Sequence, residues 1–150
     1  MLNYIIQSLL INKINIQEWS RILNKRYLAL PALVKKIHVD IEENRNLYVQ
    51  NMNDTYMMVF DGFDWKAKDI KNTLDEILID NTNRIYEFIN DPSIDIKKNL
   101  YDKINEIIDK IDKDDNIRES YKEKLKMELL NNKRIIREYY EKSYNKKIED

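Results

Sequence analysis

The segment Lys36–Lys66 is the only part of the chain whose apolar pattern does not have a helical period. It contains the single glycine and the single histidine of the sequence, and one of its two tryptophans. Two short apolar runs lie inside it, Asn46–Asn51 and Thr55–Phe60. Asp61-Gly62 follows the second run, and such a pair between apolar runs is the strongest short signal for a hairpin. We therefore predict a three-stranded antiparallel meander with strands near 46–50, 55–60 and 63–66.

Apolar residues return to helical spacing on both sides of this segment. We predict three helices before it, over 1–11, over 16–27, and from Pro31 to about 38. After it we predict a long helix over 67–90 and two further helices, one capped by Asp91 and one by Asn116. The loop between the last two helices is short, so they should pair antiparallel. The predicted fold class is α+β and mostly helical, with the meander between the N-terminal helices and the long helix, followed by a C-terminal helical hairpin.

The helical pattern is weakest at Asn90–Ser93, where we place a domain boundary. Residues 1–90 should form a helical domain with the meander, and residues 91–150 should form the helical hairpin. We expect the hairpin to pack on the first part, because a length of 150 residues suits one domain with a helical appendage.

Composition excludes several kinds of site. The chain has no cysteine and only one glycine, which rules out a disulfide frame, a thiolate zinc site and a glycine-rich phosphate loop. The apolar start of the chain, Met1–Ile11, is too short to span a bilayer, and it lacks the features of a secretory signal. We therefore expect no membrane association.

The charge is close to balanced overall and uneven along the chain. The net charge is −1, which argues against a nucleic-acid binder that uses its whole surface. Lys and Arg exceed Asp and Glu in residues 1–38 (6 against 1), fall short of them in 39–116 (10 against 19) and exceed them again in 117–150 (10 against 7). These segments could attract one another within a chain or between chains, or they could be ordinary solvated surfaces.

Carboxylates follow the single histidine closely in the sequence. His38 precedes Asp40, Glu42 and Glu43, and a histidine beside carboxylates can act as a general base or help to hold a metal. The structural alternative is a histidine at a helix C-terminus that packs on the meander. A second acidic group around the predicted turn consists of Asp61, Asp64 and Asp69. It fits either a hard cation or ordinary turn chemistry.

Aromatic and basic residues suggest a possible contact with nucleic acid. Tyr48, Tyr56 and Trp65 could form a stacking platform for bases, or they could be cross-strand pairs. The basic candidates lie at both ends of the chain: Arg21, Lys25, Arg26, Lys35, Lys36, Lys133, Arg134 and Arg137. Glutamates are interleaved with the C-terminal ones, which is also typical of an exposed helix with i, i+4 ion pairs.

The apolar stripes of the last two helices are long for a hairpin alone. We therefore predict that they pair with a partner or a second copy in coiled-coil fashion. The candidate residues for this contact are Ile104, Ile108, Leu125 and Leu129.

The middle of the chain, residues 36–90, resembles a domain that recurs in proteins of giant DNA viruses of the mimivirus kind. The matching elements are Ile37-His38-Val39, Asn44-x-Asn46-Leu47-Tyr48-Val49, Asn51-Met52, Tyr56-Met57-Met58-Val59-Phe60, Asp61-Gly62, Trp65 and Leu74-Asp75-Glu76-Ile77. The family often has a proline before the asparagine run, where this chain has Glu42-Glu43, and the domain often follows a Cys/His zinc finger. No cysteine precedes it here, so a role carried by that finger has no residues in this chain. The resemblance implies a domain type and a viral origin.

These observations lead to one main hypothesis and two alternatives. We expect a non-catalytic viral protein that mediates protein–protein interaction or oligomerisation, without catalytic residues, metal ligands or cofactors. It would be found in the cytoplasm of the infected host cell or in the virion. The first alternative is a nucleic-acid-associated regulatory or virion protein that uses the basic residues at both ends. The second is a metal-dependent enzyme centred on His38.

Overall fold

The computed structural model describes the backbone of residues 9–149 and the side chains of residues 9–142. Six α-helices lie in this range: α1 (Ile16–Leu23), α2 (Ala29–Lys35), α3 (Ile70–Ile89), α4 (Lys98–Lys113), α5 (Asp115–Asn131) and α6 (Lys133–Glu149). Three strands form one sheet: β1 (Leu47–Tyr48), β2 (Tyr56–Phe60) and β3 (Trp65–Asp69). Short turns of helix connect them, of 3₁₀ type at Arg26–Leu28 and Glu42–Asn44 and of π type at Lys36–Asp40. The predicted α+β, mostly helical fold class is confirmed.

The sheet is the predicted antiparallel meander, in the order β1-β2-β3. Leu47 pairs with Val59, and these two side chains lie on one face of the sheet. Phe60 pairs with Trp65, and these two lie on the opposite face. The third strand begins two residues later than predicted, because Asp61 to Asp64 form the turn. The backbone N–H of Asp61 donates to the carbonyl of Asp64 at 3.1 Å. Gly62 has φ +99°, which a residue with a side chain rarely adopts.

The starts of α3 and α5 have side-chain caps, and α3, α4 and α5 all begin at positions other than those predicted. Asp69 accepts a hydrogen bond from the backbone N–H of Asn72 and caps α3. Asp114 caps α5, two residues before the predicted Asn116. The carboxylate of Asp91 accepts hydrogen bonds from the backbone and hydroxyl of Ser93, as a cap would, but only a turn follows it. The next helix, α4, begins at Lys98.

The N-terminal helices also end differently from the prediction. The helix predicted over 16–27 stops at Leu23, where the side-chain amide of Asn24 donates to the carbonyl of Ser20. Arg26 then adopts a positive φ of 56°, which no α-helix contains. Of the helix predicted over 1–11, residues 1–8 lie outside the described residues, and residues 9–11 are not helical.

α5 lies at the centre of the molecule. It packs against α2, α3 and α4 and touches β1, and its side chains Tyr121, Leu125 and Leu129 are buried. α4 and α5 are joined by Asp114 alone and pack against each other, as a helical hairpin does. One continuous core includes residues from Leu9 to Leu129, so the two predicted parts of the chain share it.

The last predicted helix, which we expected to begin at Asn116 and to be a single helix, is divided in two at Asn132. The Asn132 side-chain amide donates to the carbonyl of Glu128 at 2.7 Å, and α6 begins at the next residue. α6 then crosses the sheet beside β1. The core face of the sheet carries the buried side chains of Leu47, Met57 and Val59. On the other face, Tyr140 of α6 covers part of the surface.

Candidate interaction surface

His38 belongs to a buried polar cluster, which consists of His38, Asn44 and Asn46. The Nδ1 atom of His38 lies 2.9 Å from the side-chain oxygen of Asn46. The side chain of Asn44 accepts from the backbone N–H of Leu10 and donates to its carbonyl, at 2.9 and 3.1 Å. The histidine and the Asn-x-Asn run of the family resemblance therefore form one structural unit that holds the segment around Leu10.

Burial also decides the charge of His38. The side chain is 3% exposed, and desolvation lowers its pKa to about 4 despite hydrogen bonds to Asn46 and Asn44. The ring is therefore neutral at pH 7 and has no open path to a substrate. This arrangement removes the basis for His38 as a general base and matches the structural alternative.

The aspartates near the hairpin have structural partners. Asp61 accepts hydrogen bonds from the backbone N–H groups of Phe63 and Asp64, both at 2.9 Å, and these bonds lower its pKa. Asp69 is occupied in capping α3. Between residues 9 and 142, no group of three His, Asp or Glu side chains is arranged to hold a metal ion.

The predicted aromatic platform is largely a packing cluster. Tyr140 lies with its ring centroid 4.8 Å from that of Phe60 and 4.6 Å from that of Trp65. Tyr48 meets Trp65 edge to face at 6.3 Å. Tyr56, at the far end of β2, is exposed and takes no part in these ring contacts. The platform is therefore occupied by α6, which the sequence pattern did not indicate.

Most of the predicted nucleic-acid-binding side chains are paired with other groups. Lys35 and Lys36 form ion pairs with Asp40 and Glu18, Arg134 and Arg137 form ion pairs with Glu138 and Glu141, and Lys133 donates to the carbonyl of Gln50. The remaining three form no ion pair with a described residue and are exposed: Arg21, Lys25 and Arg26. The basic residues from the two ends of the chain lie in different places. Those of the N-terminal part are on α1, α2 and the adjoining turns, and those of the C-terminal part are on α6 beside β1.

The predicted protein-interaction residues lie inside the molecule. Ile104, Leu125 and Leu129 are buried, and Ile108 is partly buried against the same core. The stripes on α4 and α5 are long because α5 has neighbours on several sides. Ile104, Leu125 and Leu129 are thus not available to a partner, and Ile108 is only partly accessible, which corrects the prediction that the four form the contact surface.

A shallow groove of about 480 Å³ lies on the opposite side of α5. Its apolar lining consists of Leu28, Pro31 and Met127, where Leu28 is 55% exposed and Met127 is 37% exposed. The polar lining comes from α5: Ser120, Glu123, Lys124, Glu128 and Asn131. We call this feature the α5 groove. Met127 is two residues from both Leu125 and Leu129 and therefore lies on the opposite face of the helix. An apolar residue away from the core stripe was the sequence signal for this surface.

Electrostatically, the rim of the α5 groove is acidic. Glu123 forms no ion pair with a described residue, and Glu128 contacts only the side-chain amide of Asn132, at 3.4 Å. The lysine on the rim is engaged, because the Nζ atom of Lys124 donates to the hydroxyl of Ser120 at 2.9 Å and lies over the ring of Tyr121. The groove thus combines an apolar floor with two carboxylates and one lysine, so negative charge is in excess on its rim.

In the described range, no helix has a stretch long and apolar enough to cross a membrane. Comparisons with protein-family models, with curated proteins and with solved structures find no match to this chain.

Proposed function

We propose that this protein is a non-catalytic interaction module and that its partner binds in the α5 groove. The observation that carries the proposal is the exposure of Leu28 and Met127 side by side, on a chain with a well-buried core. A contiguous apolar surface with a polar rim is typical of a protein contact site. The groove runs beside an α-helix, which suits a partner helix with an apolar face.

The charge of the rim favours a basic partner. Glu123 and Glu128 would lie beside the docked segment, and their negative charge would attract Lys or Arg and repel an acidic helix. We therefore propose an amphipathic helix with apolar residues at i, i+3, i+4 and i+7 and basic residues on both sides of that stripe. We propose this groove as the contact surface, and not the stripes of α4 and α5, because Ile104, Leu125 and Leu129 on those stripes are buried.

The first experiment measures molar mass by light scattering over a range of concentrations, at low and high salt. Our proposal expects a monomer under all conditions. A labelled basic Leu/Lys amphipathic peptide of about four helical turns then serves as the probe, and its anisotropy reports binding. A matched Leu/Glu peptide tests the charge preference. A salt-independent dimer would instead support the oligomerisation form of the hypothesis.

Variants locate the contact. Leu28→Ser with Met127→Ser should weaken binding of the basic peptide about tenfold, because the apolar floor is lost. The matched control is Ile79→Ser with Tyr86→Ser, two exposed apolar positions on α3 that are remote from the groove in sequence. Equal binding by both double variants would exclude the α5 groove as the site.

The resemblance to the giant-virus domain supports a further part of the proposal, which is a viral origin with a place of action in the infected cell or the virion. Mass spectrometry of purified virions and of infected-cell fractions tests it. Detection of the protein only in uninfected cells would contradict a viral origin.

One observation favours nucleic acid as a second candidate. Arg21, Lys25 and Arg26 are exposed within a span of six residues on α1 and the turn after it, and Tyr27 beside them is half exposed. Such a patch can contact phosphates. Titration with duplex DNA and with single-stranded RNA, repeated at several salt concentrations, tests this role. Binding that falls steeply with salt and is lost in the triple change to glutamine supports it, and salt-independent or absent binding excludes it.

A further inference from the structure

β3 is the outer strand of the sheet, and its hydrogen-bonding pattern can be read from the turns at its two ends. Asp61 N–H donates to Asp64 C=O at one end, and Ile70 N–H donates to Thr55 C=O at the other. Hydrogen-bonded pairs alternate along an antiparallel ladder, so the backbone groups of Lys66 and Lys68 face β2. The N–H and C=O groups of Trp65 and Ala67 consequently point outward.

No residue in the described range forms a hydrogen bond with these outward groups of Trp65 and Ala67. An outer strand with unpaired N–H and C=O groups is a template on which another strand can form. β3 is five residues long, which equals the length of β2 and is sufficient for one added strand.

The side chains of β3 determine which charge an added strand should carry. Lys66 and Lys68 point to the same face, and neither forms an ion pair with a described residue. Opposite charges directly across a strand pair stabilise it, and like charges destabilise it. An added strand with acidic residues two positions apart would therefore match the two lysines. Ala67 lies on the other face, and its small side chain leaves room there for the remaining side chains of the added strand.

A second copy of this chain fits the edge poorly. If two β3 strands paired antiparallel about Ala67, then Lys66 of each copy would stand opposite Lys68 of the other. Both cross-strand pairs would then place positive charges together, as lysines on edge strands do to prevent self-pairing. On the face of Lys66 and Lys68 the two lysines stand against Asp64 alone, and Asp69 on the other face caps α3 with its carboxylate. The charge on the lysine face thus favours a foreign, acidic strand.

We propose that β3 accepts an extended acidic segment of another protein as a fourth strand, held by the outward backbone groups of Trp65 and Ala67 and by Lys66 and Lys68. This site lies on the sheet and is independent of the α5 groove. It adds a second mode of binding, which recognises an extended chain and not a helix.

The probe is an acetylated and amidated peptide, Glu-Val-Glu-Val-Glu, titrated into ¹⁵N-labelled protein at low salt. We expect chemical shift changes on β3 and slower hydrogen exchange of the Trp65 and Ala67 amides on saturation. The isosteric Gln-Val-Gln-Val-Gln peptide should bind roughly tenfold more weakly. Absence of binding at millimolar peptide, or exchange rates at these two amides that do not change on saturation, would overturn the proposal.

Ala67→Pro gives the sharpest test of the backbone contact. Proline removes the outward N–H and leaves the β2–β3 hydrogen bonds, which belong to Lys66 and Lys68, and proline is tolerated on edge strands. We expect the peptide to bind roughly tenfold more weakly, whereas the control Ala67→Ser should bind like the wild type. Equal binding by the proline variant would overturn the proposal, as would a wild-type dimer in light scattering that Ala67→Pro abolishes.

The charge contact has its own test, which also serves if the proline variant fails to fold. Lys66→Glu with Lys68→Glu should lose the Glu-Val-Glu-Val-Glu peptide and acquire binding to Lys-Val-Lys-Val-Lys. Retention of the acidic peptide by this double variant would contradict the proposed register.

Discussion

At the scale of single residues, the polar cluster of His38, Asn44 and Asn46 explains how an irregular segment is held in place. The π turn ends beside it, and the segment that follows makes one 3₁₀ turn at Glu42–Asn44 before β1 begins. Asn44 supplies two bonds to the backbone of Leu10, and Asn46 supplies a partner for the buried imidazole. A buried polar group without such a partner would destabilise the fold by about 1–3 kcal/mol.

The buried His38 should make stability depend on pH. Its pKa of about 4 in the folded state lies below the ordinary value of 6.5, so the unfolded chain binds the proton more readily between these values. Stability should therefore be fully present above pH 6.5 and fall as the pH drops, with a loss of about 2 kcal/mol between pH 7 and pH 5. Urea unfolding at several pH values, monitored by tryptophan fluorescence, measures this loss of stability.

His38→Gln is the control for this effect, because the amide keeps a hydrogen-bonding group without a titration. His38 is the only histidine, so the difference between variant and wild type in this pH range reports on it alone. The same slope in His38→Gln and wild type would show that other groups are responsible.

At the scale of elements, α5 has two faces with different uses. Leu125 and Leu129 on one face have no exposed surface and hold α2, α3 and α4 together. Met127 on the other face lines the α5 groove. The helix has a weak amphipathic pattern, because charged residues are distributed around it and Lys122 lies in a nearly buried position.

The two faces of α5 should respond differently to truncation. Leu125→Ala should lower the free energy of unfolding by about 2–5 kcal/mol, because it leaves a cavity in the core. Met127→Ala removes a partly exposed side chain and should change stability by less than about 1 kcal/mol. Chemical denaturation of both variants checks this difference. Equal losses would mean that Met127 is packed and that the groove is closed in solution.

α6 is the second element whose position matters, because it covers the outer face of the sheet. Tyr140 provides the contact of α6 with Phe60 and Trp65. Burial raises the pKa of the Tyr140 hydroxyl. The guanidinium of Arg45 adds a contact above the ring of Tyr139 at 5.4 Å. These aromatic contacts, and the bond from Lys133 to the carbonyl of Gln50, hold α6 against β1.

Removal of the Tyr140 ring should release α6. We expect Tyr140→Ala to increase hydrogen exchange along α6 and to shift the emission of Trp65 to longer wavelength, with a loss of about 2–4 kcal/mol if α6 unfolds with the rest. Tyr140→Phe keeps the ring and should behave like the wild type. Unchanged exchange of α6 in Tyr140→Ala would show that other contacts suffice to hold it.

At the scale of the whole molecule, one core joins the two parts that we predicted as separate segments. α5 comes from the C-terminal part, and its contacts with α2 and α3 cross the predicted boundary at Asn90–Ser93. Residues 1–90 without α5 would expose the side chains that face it. The boundary is therefore a loop within one folded unit.

This shared core predicts a single cooperative unfolding transition. Fluorescence reports on Trp19 and Trp65, which both precede the boundary, and far-ultraviolet circular dichroism reports mainly on helices from both parts. The two signals should follow the same denaturation curve. Two separated transitions would instead show that the C-terminal helices unfold independently.

The sequence by itself determined the order of the elements, the meander and most of the helices. These features depend on neighbouring residues: apolar spacing along a helix, the Asp61-Gly62 turn, and cap side chains such as Asp69. Errors occurred where a local signal was not followed by a helix. At Asp91, the carboxylate binds Ser93 as a cap would, but the chain makes only a turn there and α4 begins at Lys98.

The tertiary structure alone decided which faces meet. Ile104 and Leu129 have the same pattern whether they pack inside the chain or on a partner, and only the packing of α5 among α2, α3 and α4 places them in the core. The same holds for His38, whose neutrality arises from burial, and for the α5 groove, which joins residues about a hundred positions apart. Local pattern specifies which side of an element is apolar, whereas contacts between distant segments decide what covers it.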